Sequence, residues 1–184
     1  MKVELIKIKG TWRDVADAAR ITIGMEPGEK EPSSKWKKKM LLAEHSPIRK
    51  ININWKWIDI PYWVSVHLVR HKIGIEHWVK SQRTDRTNIN RDNLPQNTSV
   101  NHECEANLQT IINISRKRLC NKAAKETRKA WQLFLDTIKN KEPELYDVCV
   151  PECIYRGFCS ELNSCEWHNS QDYKKLLNNY RKLA

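Results

Sequence analysis

RDNLPQNTSVNHECEANLQTIINISRKR, residues 91–118, changes character at Asn107. Upstream the chain is polar, rich in Asn and broken by Pro95, so Thr84 to Glu105 reads as a long loop of the kind that carries function in a compact domain. Downstream, Leu108, Ile111, Ile112, Leu119, Ala123, Ala130, Trp131, Phe134 and Ile138 recur at helical spacing. They predict one long helix over 107–139, or two that meet at Leu119-Cys120-Asn121. On such a helix Asn107 and Arg118, eleven positions apart, share one face, and Gln109 and Asn113, four apart, share another.

Toward the N-terminus, Ile51, Ile53, Trp55 and Trp57 alternate with Asn52, Asn54 and Lys56. Period-two alternation of this kind marks a strand with one buried and one wet face. Asp59-Ile60-Pro61 then opens a helix, with Pro61 in the first turn where its missing N–H costs nothing. That helix is expected to run to about His71 and stop near Gly74. Val3 to Ile8 reads as a second strand, Thr11 to Ala19 as a short helix capped by Thr11, and 24–34 as a loop. Trp36 to His45 and Tyr173 to Leu183 read as helices. The whole predicts an α+β class, an antiparallel sheet packed with long helices, as a single domain over 1–184 with a Cys-rich segment at 149–168.

A chain of 184 residues, 40% hydrophobic and with eight Trp, is long enough for one folded core. No stretch approaches the roughly 18 apolar residues of a membrane span, and Met1-Lys2-Val3-Glu4-Leu5-Ile6 does not resemble a signal peptide. A cytoplasmic protein is expected, and its six cysteines are expected to be reduced. Cys149, Cys153, Cys159 and Cys165, with His168 beyond them, are a zinc candidate, but their spacing lacks the paired knuckles of structural zinc. The reading adopted is packed thiols and no metal. The net charge of +11 calls for an anionic partner, either nucleic acid or a phosphorylated small molecule. Part of it, such as Lys35-Trp36-Lys37-Lys38-Lys39, is a solvated face.

The small-molecule choice rests on motifs. Leu68-Val69-Arg70-His71-Lys72 ends a helix in cationic groups, and Ser81-Gln82-Arg83 follows across a short loop. Arg supplies a planar fork for phosphate and Ser a hydroxyl. This pair resembles the defining motif of flavin-dependent thymidylate synthases, Arg-His-Arg followed by Ser and Arg. Here Lys72 stands for the last Arg of the triplet, and the loop before Ser81 is one residue longer. Glu44-His45-Ser46-Pro47 resembles the family's His-containing Ser/Thr-Pro segment, followed here by Ile48-Arg49-Lys50. Arg91-Asp92-Asn93-Leu94-Pro95 resembles its Arg-x-x-Leu-Pro segment. Asn107-x-Gln109-x-x-x-Asn113-x-x-x-x-Arg118 resembles its Asn-x-Arg-x-x-x-Asn-x-x-x-x-Arg helix, with Gln109 in place of Arg. The resemblance covers residues 40–130, and the chain between Arg83 and Arg91 is shorter than in the family.

The resemblance implies reductive methylation of dUMP to dTMP with FAD, methylene-tetrahydrofolate and NADPH, in a homotetramer whose active sites form between subunits. It assigns Arg118 and Ser81 to catalysis, and His67, Ser81, Arg83, Arg91 and Arg118 to a pyrimidine deoxynucleotide monophosphate. Ser46, Arg70, His71, Lys72, Asn107, Gln109 and Asn113 fall to the cofactor. The departures at His67, Gln109 and Arg49 keep open another pyrimidine nucleotide such as dCMP. The rival of another class is a basic nucleic-acid-binding protein, although no nucleic-acid-binding fold pattern and no membrane segment is evident.

Overall fold

The computed structural model describes residues 1–183. Four strands, β1 (Lys2–Lys9), β2 (Asn52–Pro61), β3 (Ile75–Val79) and β4 (Ser99–Asn107), form one antiparallel sheet in the order β1-β2-β4-β3. Among the described residues nine α-helices accompany it: α1 (Trp12–Ile21), α2 (Ser34–Leu42), α3 (Tyr62–Leu68), α4 (Thr84–Thr87), α5 (Leu108–Arg118), α6 (Lys125–Ile138), α7 (Pro143–Val148), α8 (Glu152–Arg156) and α9 (Gln171–Arg181). The α+β class holds. No helix among the described residues is long and apolar enough to cross a membrane.

The core stands on β2. Ile53, Trp55 and Trp57 are fully buried, and α6 lays Trp131 and Phe134 against them. Trp55 stacks on Phe134 at 4.0 Å between ring centroids, and Trp57 and Trp131 meet edge-on or tilted partners at 5.1–6.2 Å. Aromatic pairs in these arrangements add to simple area burial. Two of the indoles also find partners: Trp57 donates to the Ala130 carbonyl at 2.8 Å and Trp131 to the Ser115 hydroxyl at 2.9 Å. The opposite face of the sheet is polar, with Lys9 paired to Glu105 at 2.6 Å and Asn54 donating to Glu103 at 3.1 Å.

Three sequence expectations change. The loop expected over 84–105 holds α4 and then β4, an inner strand paired on both edges. In β4, Val100, His102, Cys104 and Ala106 are buried, while Asn101, Glu103, Glu105 and Asn107 face outward. The alternation is regular, but half of its buried positions are His and Cys, which do not register as apolar. The helix expected from Asp59 begins at Tyr62, because β2 continues to Pro61 through a register shift between Trp57 and Ile60. Asp59 takes a left-handed conformation there, φ 55°, and its carboxylate accepts the Ser99 hydroxyl at 3.0 Å. That helix also closes at Leu68, leaving Arg70, His71 and Lys72 on the turn toward β3. Of the two forms expected after Asn107, the two-helix one is found, with the break at 119–124.

Candidate active site

Helix α5 organises the candidate residues. Asn107 caps it, its side-chain oxygen accepting the Thr110 N–H at 3.0 Å. Thr110 in turn donates its hydroxyl to the Ile73 carbonyl at 3.0 Å, and the Asn107 N–H reaches the Gly74 carbonyl at 3.3 Å. The turn that carries Arg70, His71 and Lys72 is thereby tied to the start of α5. Gly74 sits at φ +70°, where a Cβ would meet the Thr110 hydroxyl and the Asn107 amide. Gly74→Ala is expected to lower stability by about 1–3 kcal/mol, from the positive φ and the clash together, as a shift in the urea midpoint. A shift below the error of that measurement would contradict this close packing.

At the other end of α5, Arg118 donates from Nε to His71 Nε2 at 2.8 Å and from Nη2 to the His67 carbonyl at 2.5 Å. An accepting Nε2 places the proton of neutral His71 on Nδ1. Burial first, then the charges of Arg118 and His77, push the His71 imidazole down to about 4, so the ring is neutral at pH 7. Burial, then Arg118 and Arg70, also lower His67, whose Nδ1 lies 3.0 Å from the Thr127 hydroxyl. Arg118 is itself half-buried; burial and the nearby Arg70 both disfavour its charge. Its hydrogen bonds go to a neutral imidazole and a carbonyl, and among the described residues no salt bridge joins it to a carboxylate. A half-withdrawn cation without an anion is costly for the protein alone, and a bound anion offsets that cost.

Gln109 and Asn113 occupy a different face and a closed network. The Gln109 amide donates to Glu44 at 2.5 Å and lies 3.4 Å from the Asn113 oxygen. Arg116 forms an ion pair with Glu44, donates to Asn113 at 3.3 Å, and stacks over the Tyr155 ring at 3.5 Å. Burial would raise the Glu44 carboxyl, but Arg116, Gln109 and Tyr155 together hold it below its usual range. Glu44 stands in a motif without a role of its own, and Arg116 and Tyr155 escaped the sequence reading. Only the left-handed φ of Glu44, 50°, aims its carboxylate at α5, and a linear sequence does not display that.

Of the remaining candidates, Ser46, Arg83 and Arg91 are exposed and Ser81 is half-buried. Ser46 opens a short 3-10 turn, Ser46–Lys50, that packs on α5. Ser81 accepts the Arg83 N–H at 3.2 Å, and Arg83 grips Asp85 with two bonds of 3.0 and 2.7 Å. Arg91 is exposed and 3.9 Å from Asp92. No hydrogen bond joins Ser46, Ser81, Arg83 or Arg91 to Arg118 among the described residues. The structure therefore gathers Arg70, His71, His67 and Arg118, sets Gln109 and Asn113 on another face of α5, and leaves Ser46, Ser81, Arg83 and Arg91 apart.

The cysteines divide likewise. Cys149 lies in the core, where burial pushes its thiol up to about 12. Cys153, Cys159 and Cys165 instead line a small cleft together with Cys120 and His168. Brief alkylation at pH 8 is expected to label the exposed Cys165 and to spare Cys149, read by peptide mass spectrometry. Early labelling of Cys149 would mean that its wall of the core opens. A cleft of about 770 Å³ lies elsewhere, among α6, α7 and α9 with Arg128, Tyr146 and Tyr180 on its walls. None of the nucleotide or cofactor candidates lines it, although Cys149 does.

No family model and no curated protein matches the chain. Solved structures do. The flavin dependent thymidylate synthase ThyX of Helicobacter pylori, complexed with FAD and dUMP, superposes with a TM-score of 0.66 at 16% identity, over 82% of this chain and 100% of that one. A second structure of that enzyme with FAD and dUMP gives 0.67 at 14% identity, over 82% and 99%. A UMP/dUMP methylase, PolB of Streptomyces cacaoi, bound with 5-Br dUMP, gives 0.65 at 13% identity, over 85% and 95%. Arrived at independently of the motifs, these superpositions agree with them: the chain has the fold of the flavin-dependent thymidylate synthases.

Proposed function

We propose that the protein is an FAD-dependent enzyme that methylates dUMP to dTMP, with methylene-tetrahydrofolate as one-carbon donor and NADPH as reductant. The observation that carries the reading is Arg118, a half-buried guanidinium with no carboxylate partner among the described residues, set against a neutral histidine pair in a fold whose solved neighbours hold FAD and dUMP. Arg118 has N–H groups to spare for a nucleotide's phosphate or base oxygen, where charge assistance makes each hydrogen bond strong. Its bonds to His71 and the His67 carbonyl hold the fork in place beforehand, so little ordering remains to be done on binding. Neutral His71, with its proton on Nδ1, can donate a hydrogen bond without bringing a second positive charge to the site.

The residues present fit a dinucleotide flavin. Arg70 and Lys72 are exposed cations beside the cluster with no ion-pair partner among the described residues, and they would hold its phosphates, with Ser46, Asn107 and Asn113 at its rim. When bound, the flavin supplies hydride, and the chain's part is to orient the pyrimidine and stabilise charge developing on it. The half-buried Arg118 cluster lies outside the large cleft, and a neighbouring subunit of a homotetramer would complete the site. Arg83 and Arg91, on exposed chain, would reach the nucleotide across that boundary.

A second nucleotide specificity has one observation in its favour. His67, lowered by burial and by Arg118 and Arg70, presents a neutral ring, which can donate or accept toward a 4-amino pyrimidine as well as a 4-keto one. Incubation of the protein with FAD, methylene-tetrahydrofolate and NADPH, with dUMP and dCMP in parallel, tests both by mass spectrometry of the nucleotides. A methyl gain on dUMP supports the main reading, and a gain on dCMP alone replaces it by the second. No product on either, with no flavin bound, removes the reading.

A further inference from the structure

We propose that His77, His102 and Cys104 form a binding site for a borderline-soft divalent cation of the Zn²⁺ class, held between β3 and β4. His77 on β3 lies directly opposite Cys104 on β4, and His102 is two residues earlier on the same face of β4. Their three ligand atoms converge: His77 Nδ1 is 3.0 Å from His102 Nε2 and 3.1 Å from Cys104 Sγ, and Sγ is 3.2 Å from Nε2. Among the described residues this is the group of three potential ligands whose atoms all lie within 4.8 Å of one another. His102 and Cys104 are fully buried and His77 partly so.

The protonation of the triangle argues for a cation. His77 Nε2 lies 2.8 Å from the His71 carbonyl, which can only accept, so Nε2 carries a proton and, in the neutral ring, Nδ1 turns a lone pair inward. A histidine ligand whose second nitrogen donates to a carbonyl is the usual support for a metal-bound ring. Without a cation the triangle closes poorly. If His102 Nε2 is protonated, it and the Cys104 thiol compete for the one lone pair on His77. If it is not, two lone pairs face each other at 3.0 Å with a single thiol proton to share. His102 Nδ1 has no partner in either case and does not decide between them. A cation accepts both lone pairs and the sulfur together. On binding, the Cys104 S–H bond is replaced by a sulfur–metal bond and the proton passes to solvent.

Two imidazoles and one thiolate suit a borderline ion, with water as fourth ligand. Bond lengths of about 2.0–2.1 Å to nitrogen and about 2.3 Å to sulfur require the three atoms to spread by only a few tenths of an ångström. The edge strand β3, paired on one side only, can supply that movement. Because His77 also holds the His71 carbonyl, an occupied site would pin the turn that presents His71 to Arg118.

Cobalt is the probe. The full-length protein is stripped of metal with a chelator under reducing conditions and titrated with Co²⁺. The expected result is one equivalent bound with tetrahedral visible bands and a charge-transfer band of single-thiolate intensity, displaced by Zn²⁺. Both bands should vanish in Cys104→Ala, and affinity should fall at least about 100-fold in His77→Gln, more than the loss of a supporting hydrogen bond usually causes. The His77 change is partly exposed on the edge strand and provides the test should Cys104→Ala misfold, with circular dichroism checking both. Cys153→Ser/Cys159→Ser, in the separate cysteine cleft, should leave the spectrum unchanged. No thiolate–cobalt band in the wild-type protein overturns the proposal. So does a band that survives in Cys104→Ala and is lost in Cys153→Ser/Cys159→Ser.

Discussion

Replacing Trp57 by Ala is expected to lower the unfolding free energy by about 3–5 kcal/mol, the range for deleting a fully buried large aromatic side chain. Trp57 is 0% exposed and packs on Trp55, Trp131, Phe134 and the His102 ring at once. The deletion also strips the Ala130 carbonyl of its indole donor, adding an unmet buried acceptor to the cavity. Since a domain's whole stability is about 5–15 kcal/mol, the variant should be partly unfolded at 37 °C. Urea unfolding followed by far-ultraviolet circular dichroism checks this. A loss below about 1 kcal/mol would mean that the aromatic cluster closes over the gap, which its stacked geometry argues against. Trp57→Phe, retaining a ring but not the N–H, should recover most of the packing and separate the two contributions.

The legibility of the fold follows from the same residues. In β2 the core-facing positions are Ile and Trp and their neighbours are Asn and Lys, so period-two alternation stands out in the bare sequence. The alternation in β4 is equally regular but is written with His102 and Cys104, residues whose burial depends on partners in other strands. The Asn-rich stretch before it is polar because it is exposed, and that polarity masked where the strand begins. Asp59 shows a second limit. A left-handed residue inside a strand pair is a property of the ladder, stabilised by Ser99 forty residues away, and nothing local to Asp59-Ile60-Pro61 distinguishes it from a helix cap.

The candidate site was legible where chemistry and helical spacing coincide. Asn107 and Arg118 share a side of α5 as their separation requires, one tied to the Ile73-Gly74 turn and the other to His71 and His67. The partner of Gln109 was not legible. Its amide is taken up by Glu44, and that pairing needs the backbone turn at Glu44 and the cation of Arg116 together. The family's Arg at this position would meet the same carboxylate while Arg116 already neutralises it. In this chain Arg116, seven positions beyond Gln109 and on the same helix face, supplies the cation for Glu44. The cleft that gathers Cys120 with Cys153, Cys159 and Cys165 was out of reach for a related reason, since Cys120 comes from the far end of α5.

Arg118→Ala is the functional change with the largest expected effect. On the proposed reading it removes the cation that awaits the nucleotide, and dUMP affinity should fall by about 100- to 1,000-fold, the usual consequence of deleting one partner of a desolvated charged hydrogen bond. A structural role alone predicts a different pattern, so a second readout is needed. Arg118 is one of the charges that keep His71 near 4. Its removal should let the His71 pKa rise toward 6.5, though only part of the way, because burial is the larger cause and remains. The sign follows directly: at pH 5.5 the wild-type ring is neutral and the variant ring is partly protonated, whereas at pH 7.5 both are neutral. A histidine NMR titration reads the shift without substrate, and isothermal titration at pH 7.5 reads dUMP affinity with His71 neutral in both proteins. Arg118→Lys supplies the intermediate case. It keeps a charge but not the fork that spans His71 Nε2 and the His67 carbonyl, so the His71 shift should be small while dUMP affinity still drops. Unchanged dUMP affinity in Arg118→Ala, with the fold intact and the His71 shift present, would leave Arg118 as a brace for the histidines and move the anion site to Arg70 and Lys72.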